Sequence, residues 1–289
     1  MKSAFISLIG RPSSGKSTLL NRICGNKVSI VSSVPQTTRN KIRGIVNRSA
    51  GQLVFIDTPG FHQSEKKFNR YMKKLVITTL DEVDMVLYLV DLTRPVGDEE
   101  RQLVRLLSSF RGEVVVALNK VDQEQSHEEA IKASFQRLGF DRPCERISAL
   151  TGKGVEELLQ LLFELAPEGE AFYPAEYYTD QEPQFRIAEI IREKAINQTR
   201  QEVPHSLFVE VADSELHDEQ LWVRAFIHVE RDSQKAILVG KGGSKIKSIR
   251  IEAEKDLEEL FPYTVRLDLR VKVTPRWRRR DNLLRRLLH

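Results

Sequence analysis

Short apolar runs alternate with amphipathic stretches over the first 165 residues of the chain. The runs fall at Ala4–Ile9, Leu53–Ile56, Met85–Val90 and Val114–Leu118, each bounded by Gly, Asp, Asn or Thr. Between them, Glu99–Phe110, Ser126–Leu138 and Val155–Leu165 have helical spacing; in the last, Val155, Leu158, Leu159, Leu162 and Leu165 share one face. Strands alternating with helices predict a doubly wound, mainly parallel α/β sheet, with ligands bound at the carboxyl ends of its strands. Residues 167–183 break the rhythm with Pro167, Gly169, Pro174 and Pro183, which predicts a linker between a domain at 1–166 and a second at 184–289.

The pattern changes after that break. Phe185–Asn197 is amphipathic at helical spacing, Leu207–Val211 and Leu221–Val229 are strand-like, and Gln234–Val239 is a short helix. Gly240-Lys241-Gly242-Gly243 interrupts, Ser244–Leu260 is helical again, Val265–Val273 alternates as a strand, and an Arg-rich helix closes the chain. The predicted order is α-β-β-α-α-β-α, an α+β unit.

A length of 289 residues suits two domains of ordinary size. No apolar run approaches the roughly 20 residues needed to cross a bilayer. Cys24 and Cys144 make neither a disulfide framework nor a metal cluster, which suits a reducing cytosol. The amino-terminal apolar stretch runs straight into a glycine-rich loop and reads as a buried strand, not a signal peptide. The net charge of +4 is uneven: from Lys235 to His289, 15 Lys and Arg stand against 7 Asp and Glu, so this stretch carries +8 and the rest −4. A polyanionic partner would therefore meet the carboxyl-terminal part, although charge alone equally describes a solvated face.

Gly10-Arg11-Pro12-Ser13-Ser14-Gly15-Lys16-Ser17 fills every fixed position of the phosphate-loop pattern, between a strand and the helix Lys16–Cys24 that carries Thr18. Glycines let backbone N–H groups curl round phosphates, and the helix amino terminus adds its dipole. Lys16 would reach the β- and γ-phosphates, and Ser17 would ligate Mg²⁺. Asp57-Thr58-Pro59-Gly60 ends the Leu53–Ile56 strand; Asp57 would hold Mg²⁺ through water, and the Gly60 N–H would reach the γ-phosphate. Asn119-Lys120-Val121-Asp122 follows the Val114–Leu118 strand and would select the base. The Asp122 carboxylate accepts from guanine N1–H and the exocyclic amine, which adenine does not offer, so rejection of adenine by about 10⁴ is expected. Asn119 would tie the loops together, the Lys120 stem would pack on the base, and Ser148-Ala149-Leu150 would offer backbone N–H to guanine O6. In order, these are the elements of a GTPase.

The Mg²⁺-binding threonine is expected in Val34-Pro35-Gln36-Thr37-Thr38-Arg39, with Thr38 favoured and Thr37 its rival. Lys16, Thr38 and Gly60 are then the groups around the reacting phosphate. Ras-like enzymes place a glutamine after the glycine of DxxG to orient water. Phe61 stands there instead and cannot hydrogen-bond, so slow intrinsic turnover is expected.

Gly240-Lys241-Gly242-Gly243 is a GxxG loop between two helices, the device with which KH domains clamp about four nucleotides. Lys241, Lys245, Lys247 and Arg250 stand ready to neutralise phosphates, which makes RNA the expected partner. Arg276, Arg278, Arg279, Arg280, Arg285 and Arg286 extend that track, form a solvated helix end, or touch an acidic membrane surface. A GTP-dependent RNA-modifying enzyme is the weaker alternative, because His205, His217 and His228 are scattered and no further nucleophile or metal cluster is evident.

The combination of GRPxxGKSTLLN, QTTR, DTPG, NKVD and SALTGKGV with EIIREK and VGKGGxxIKxI resembles the bacterial Era GTPases over nearly the whole chain. The resemblance implies a GTPase domain followed by a type II KH domain, hydrolysing GTP to GDP with Mg²⁺. It also implies action in small ribosomal subunit assembly at the 3′ end of 16S rRNA, and a monomer is expected. The implied location is cytoplasmic, with peripheral association at the inner face of the membrane. One departure stands out: phosphate loops of this family usually read GRPNVGKS, and Ser13 and Ser14 replace Asn and Val. In related GTPases that asparagine helps bind an activating potassium ion, so the potassium requirement is left open.

Overall fold

The computed structural model describes residues 1–35, 37–61 and 67–287; Gln36 and the side chains of Arg285 and Arg286 lie outside the described set. The chain divides into two units, one of residues 1–29 and 38–180, the other of residues 30–37 and 181–287.

The first unit runs β1 (Lys2–Ile9), α1 (Lys16–Cys24), β2 (Ile42–Arg48), β3 (Gly51–Asp57), α2 (Lys67–Leu80), β4 (Met85–Asp91), α3 (Asp98–Ser108), β5 (Glu113–Asn119), α4 (Glu128–Arg137), β6 (Cys144–Ile147) and α5 (Val155–Leu165). The sheet order is β2-β3-β1-β4-β5-β6, with every neighbouring pair parallel except β2 with β3. β3, β4 and most of β5 are buried on both faces, which is why they read as unbroken apolar runs. Chain order reverses on either side of β1, so the loop after β1 sits at the topological switch point. Sequence pattern missed β2, whose Ile-Arg-Gly-Ile-Val-Asn-Arg run is broken by Gly44.

Residues 167–180, expected within a linker over 167–183, are held against the first unit. The Gln52 side chain, fully buried, accepts from Phe172 N and Tyr173 N at 2.7 and 2.9 Å and donates to Tyr173 O at 2.8 Å. Ile45 N donates to Tyr178 O at 2.9 Å, and Arg43 pairs with Asp180 at 2.8 Å. The segment thereby covers part of the otherwise open β2 edge while its own backbone groups find partners. Prolines kept it out of helix and sheet without making it free.

The second unit runs α6 (Pro183–Asn197), α7 (Val203–Ser206), β7 (Phe208–His217), β8 (Gln220–Val229), α8 (Asp232–Val239), α9 (Ser244–Leu260), β9 (Thr264–Val273) and α10 (Asp281–Leu287). The predicted order holds, with the one-turn α7 added. The sheet order is β7-β8-β9, β7 antiparallel and β9 parallel to β8. Ile187, Ile190 and Ile191 of α6, Leu238 of α8 and Ile249, Ala253 and Leu257 of α9 pack with Val223, Ala225, Ile227 and Val229 on one sheet face. Each of the Val, Leu and Ile side chains contributes about 1.5–3 kcal/mol by burial. Ile30 belongs to this core.

Candidate functional site

The phosphate loop leaves β1 at Gly10 and closes into α1. Gly15 takes φ 101°, and a Cβ there would stand 2.3 Å from the Asn119 amide, so both conformation and space require glycine. Ser13 also adopts the left-handed region, at φ 64°. The buried Lys16 Nζ donates to the Gly10 and Arg11 carbonyls, each at 3.1 Å, and burial lowers its pKa to about 8 against the opposing pull of Asp57.

Beside it, three hydroxyls converge on one carboxylate oxygen. Ser17 Oγ donates to Asp57 Oδ2 at 2.6 Å, Ser29 Oγ at 2.9 Å and Thr38 Oγ1 at 3.3 Å; Ser17 and Thr38 lie 3.0 Å apart. Asp57 is fully buried, and burial raises its pKa despite Lys16 and these hydroxyls. Its Oδ1 has no hydrogen-bond partner among the described residues. An orphaned buried carboxylate oxygen next to two hydroxyls suits a hard divalent cation or its water, so the donor set fits Mg²⁺.

Thr38, not Thr37, reaches this centre: Thr37 Oγ1 donates to Val34 O at 2.6 Å. Thr58 Oγ1 donates to Leu8 O at 2.9 Å, Pro59 is buried, and a Cβ on Gly60 would stand 2.8 Å from Pro12 Cα. The DTPG turn thus lies directly on the phosphate loop. Phe61 N donates to Gly10 O at 3.1 Å, and its ring is 4% exposed in a core that includes Ile9, Tyr88 and Leu103. Its side chain is committed to packing.

Asn119 joins the remaining loops. Its Nδ2 donates to Ser14 O at 2.8 Å, and its Oδ1 accepts from Ala149 N at 2.9 Å. Lys120, at φ 74°, pairs with Asp91 at 2.6 Å. Asp122 is exposed; hydrogen bonds from Ser148 and then Gln123 hold its carboxyl below the usual range, the latter at 2.5 Å. Leu150 is exposed. Arg22 on α1 donates to the Ala149 and Leu150 carbonyls, fixing the loop after β6 to the helix after the phosphate loop.

Arg11 does not point into this pocket. Its Nη1 donates to both Glu100 oxygens at 2.8 and 2.7 Å, and its Nε to Glu99 at 3.0 Å. Arg94 donates to Pro12 O at 3.2 Å, so the start of the phosphate loop is bolted to the segment around α3. Arg22, Ser29, Asp91 and Glu100 went unnoticed in sequence because they lie outside the motifs.

In the second unit, Gly240, Gly242 and Gly243 have φ of 72°, 59° and 79°, which puts three positive-φ residues in one four-residue loop between α8 and α9. Space around Gly242 is open, and Lys241 and Lys247 are exposed. Lys245 is half-buried; Arg250 is also half-buried and lies 4.0 Å from Glu254.

The family model described as 50S ribosome-binding GTPase matches residues 5–120, and the KH domain model matches residues 202–278. The curated GTPase Era of Treponema denticola is 52% identical over 99% of each chain, and that of Borreliella burgdorferi is 44% identical over 100% of each. The chain belongs to the Era GTPase family. Among solved structures, an Aquifex aeolicus Era variant bound to GDP and aluminium fluoride matches with a TM-score of 0.94 and 33% identity, covering 99% of this chain and 98% of that one. Era in complex with MgGDPNP and nucleotides 1506–1542 of 16S ribosomal RNA matches with the same score, identity and coverage. The protein is a GTPase with a mainly parallel GTPase domain followed by a KH domain. No described helix is long and apolar enough to cross a membrane.

Proposed function

We propose that this Era-family GTPase is a nucleotide-driven switch that grips single-stranded RNA at the 3′ end of 16S rRNA during small-subunit assembly. The observation that carries the nucleotide half is Asn119, whose one side chain ties the phosphate loop to the loop after β6. The ends of β1, β5 and β6 thereby meet, and the Ser17–Asp57 hydrogen bond brings the end of β3 to the same site. Lys16 meets the β- and γ-phosphates, the Gly60 N–H meets the γ-phosphate, and Asp122 reads guanine. Ser17 and Thr38 would hold Mg²⁺, with Asp57 through water; bound there, the ion neutralises charge on the phosphates. Residues Gly10 to Thr18 and Asp57 to Gly60 surround the triphosphate, with Arg11 shaping the loop and not touching the phosphates. Lys120 and residues Ser148 to Leu150 surround the base.

The RNA half rests on the positive-φ glycine loop with Lys241, Lys245, Lys247 and Arg250, supported by the relative whose complex contains the 16S fragment. The RNA in that complex is 16S, the RNA of the small subunit, which supports the small-subunit role. A cytoplasmic monomer fits this role, and the Arg-rich end gives the basic charge that membrane association would use. Crosslinking in cells followed by sequencing of the attached RNA tests the whole proposal. Reads should peak at the 16S 3′ end and fall with Gly242→Asp; a flat distribution over cellular RNA overturns it.

A further inference from the structure

The face of the β7-β8-β9 sheet opposite the helices carries its own pattern. Register places Trp222 beside Arg266, Arg224 beside Asp268, Phe226 beside Arg270 and His228 beside Lys272, all on the side away from buried Val223, Ala225, Ile227 and Val229. Aromatic positions on β8 therefore run alongside cationic positions on β9. Arg266, Arg270 and Lys272 are exposed, while Trp222, Arg224 and Phe226 are half-buried.

Two contacts show how the pieces combine. The Lys272 ammonium lies 3.1 Å from the Phe226 ring centroid, and the Arg224 guanidinium lies 4.9 Å from that of Trp222. Asp268, the one acid on the β9 side of this face, accepts from Arg224 at 3.1 Å and from Arg270 Nε and Nη2, each at 2.9 Å. Its charge is spent within the sheet, and net positive charge is left facing outward. The β7 side is the reverse: Glu210, Asp213 and Glu215 stand opposite Phe226, Arg224 and Trp222. A polyanion is thus repelled from β7 and confined to the β8–β9 half.

We propose that this half-face is a second single-stranded RNA track, separate from the glycine loop, which lies between the helices covering the other side of the sheet. Alternate β9 side chains recur about every 6.7 Å, a spacing an extended sugar-phosphate chain can follow. Trp222 and Phe226 supply ring faces on which bases stack without sequence preference, in competition with the cations now over them. Exposed Arg276, Arg279 and Arg280 continue the positive charge beyond the strand. The inference rests on the RNA-binding reading above.

The test uses the full chain, fluorescein-labelled oligo(A) RNA of 6 and of 24 nucleotides, and the variant Arg266→Gln/Arg270→Gln/Lys272→Gln. Because Arg270 bonds Asp268, Arg266→Gln/Lys272→Gln serves as a second variant that keeps this pair. A glycine loop that clamps about four nucleotides takes the 6-mer alone. The triple variant should bind the 6-mer as the parent does and the 24-mer 10- to 100-fold more weakly. Its slope of log affinity against log salt should be smaller by about 2, three phosphates at about 0.7 each. The double variant should show the same effect in part. Unchanged 24-mer affinity in both variants overturns the second track alone. A parent that does not bind the 24-mer also overturns the track, which takes bases without sequence preference, whereas the 16S reading stands or falls with the crosslinking experiment above. Lost flotation with phosphatidylserine vesicles but unchanged RNA binding overturns the track in favour of an anionic membrane.

Discussion

The Arg192 guanidinium donates to the Thr37 carbonyl at 2.7 Å, one peptide ahead of the threonine whose hydroxyl meets Ser17 and Asp57. Residues 30–37 fold with the second unit, where Glu193 also accepts from Val31 N at 2.8 Å, and Thr38 returns the chain to the first. A ligand that draws Thr38 toward a γ-phosphate therefore pulls on a segment anchored to α6. Arg192→Gln should bring the ratio of RNA affinities with GDPNP and with GDP toward one, because the Thr37 anchor is released. Fluorescence titration of RNA in each nucleotide state checks this; a ratio as far from one as the parent's removes Arg192 from the coupling.

Phe61 sets the rate expectation. Its ring is packed in the core, so no side chain at this position orients water in this arrangement. Intrinsic single-turnover hydrolysis should lie on the order of 10⁻⁴ to 10⁻³ s⁻¹, the range of GTPases without an activator. Phe61→Gln should not raise it, and should cost about 3 kcal/mol of stability by emptying and polarising a core position. Parent turnover of several per second would contradict the assignment.

The nucleotide motifs were legible because each is a contiguous string whose backbone does the binding: a strand end, a glycine turn and a helix start are all local. What escaped is side-chain support from elsewhere. Nothing in sequence says that Arg11 turns away from phosphate toward Glu99 and Glu100, or that Arg22 holds the loop after β6. Likewise the prolines of residues 167–183 signal irregular backbone but not the buried Gln52 that secures it. Pairing of Trp222 with Arg266 and of Phe226 with Arg270 needed the strand register, since these residues lie 44 positions apart in the chain.

Lys16 predicts a pH dependence. Burial lowers its folded pKa to about 8 from an unfolded value of 10.5, so the unfolded chain binds more protons between those limits. Stability of the nucleotide-free protein should therefore rise with pH from about 8 to 10.5, and Lys16→Met should flatten that limb. Phosphates require the charged ammonium, so nucleotide binding has the opposite trend. GDP affinity should fall about fourfold from pH 7 to 8.5, with uptake of most of a proton at the upper limit. Calorimetry in buffers of different ionisation enthalpy measures that uptake; none at pH 8.5 would place the Lys16 pKa well above 8.

Asp122 should decide base selection. Two charge-assisted hydrogen bonds at about 1.5–3 kcal/mol each mean that Asp122→Asn weakens GTP by about 10² to 10⁴. The amide instead donates to a carbonyl, so xanthosine triphosphate should bind the variant better than the parent. Hydrogen bonds from Ser148 and Gln123 hold the folded carboxyl below its usual pKa, so recognition persists as pH falls and is lost only below the ordinary carboxylate range. Equal GTP affinity in parent and variant would move guanine selection elsewhere.

Ser13 tests whether a monovalent cation takes the place of the missing glutamine. It stands at φ 64°, a conformation asparagine tolerates better than serine, and it is exposed at the phosphate loop. Its hydroxyl is one bond shorter in reach than the asparagine amide oxygen usual at this position in the family. Hydrolysis by the parent should therefore proceed at equal rates in KCl and NaCl. Ser13→Asn should stabilise the loop by a few tenths of a kcal/mol through its backbone preference and make the rate respond to potassium. Faster hydrolysis by the parent in KCl would show that the serine oxygen, or another loop group, already suffices to hold the ion.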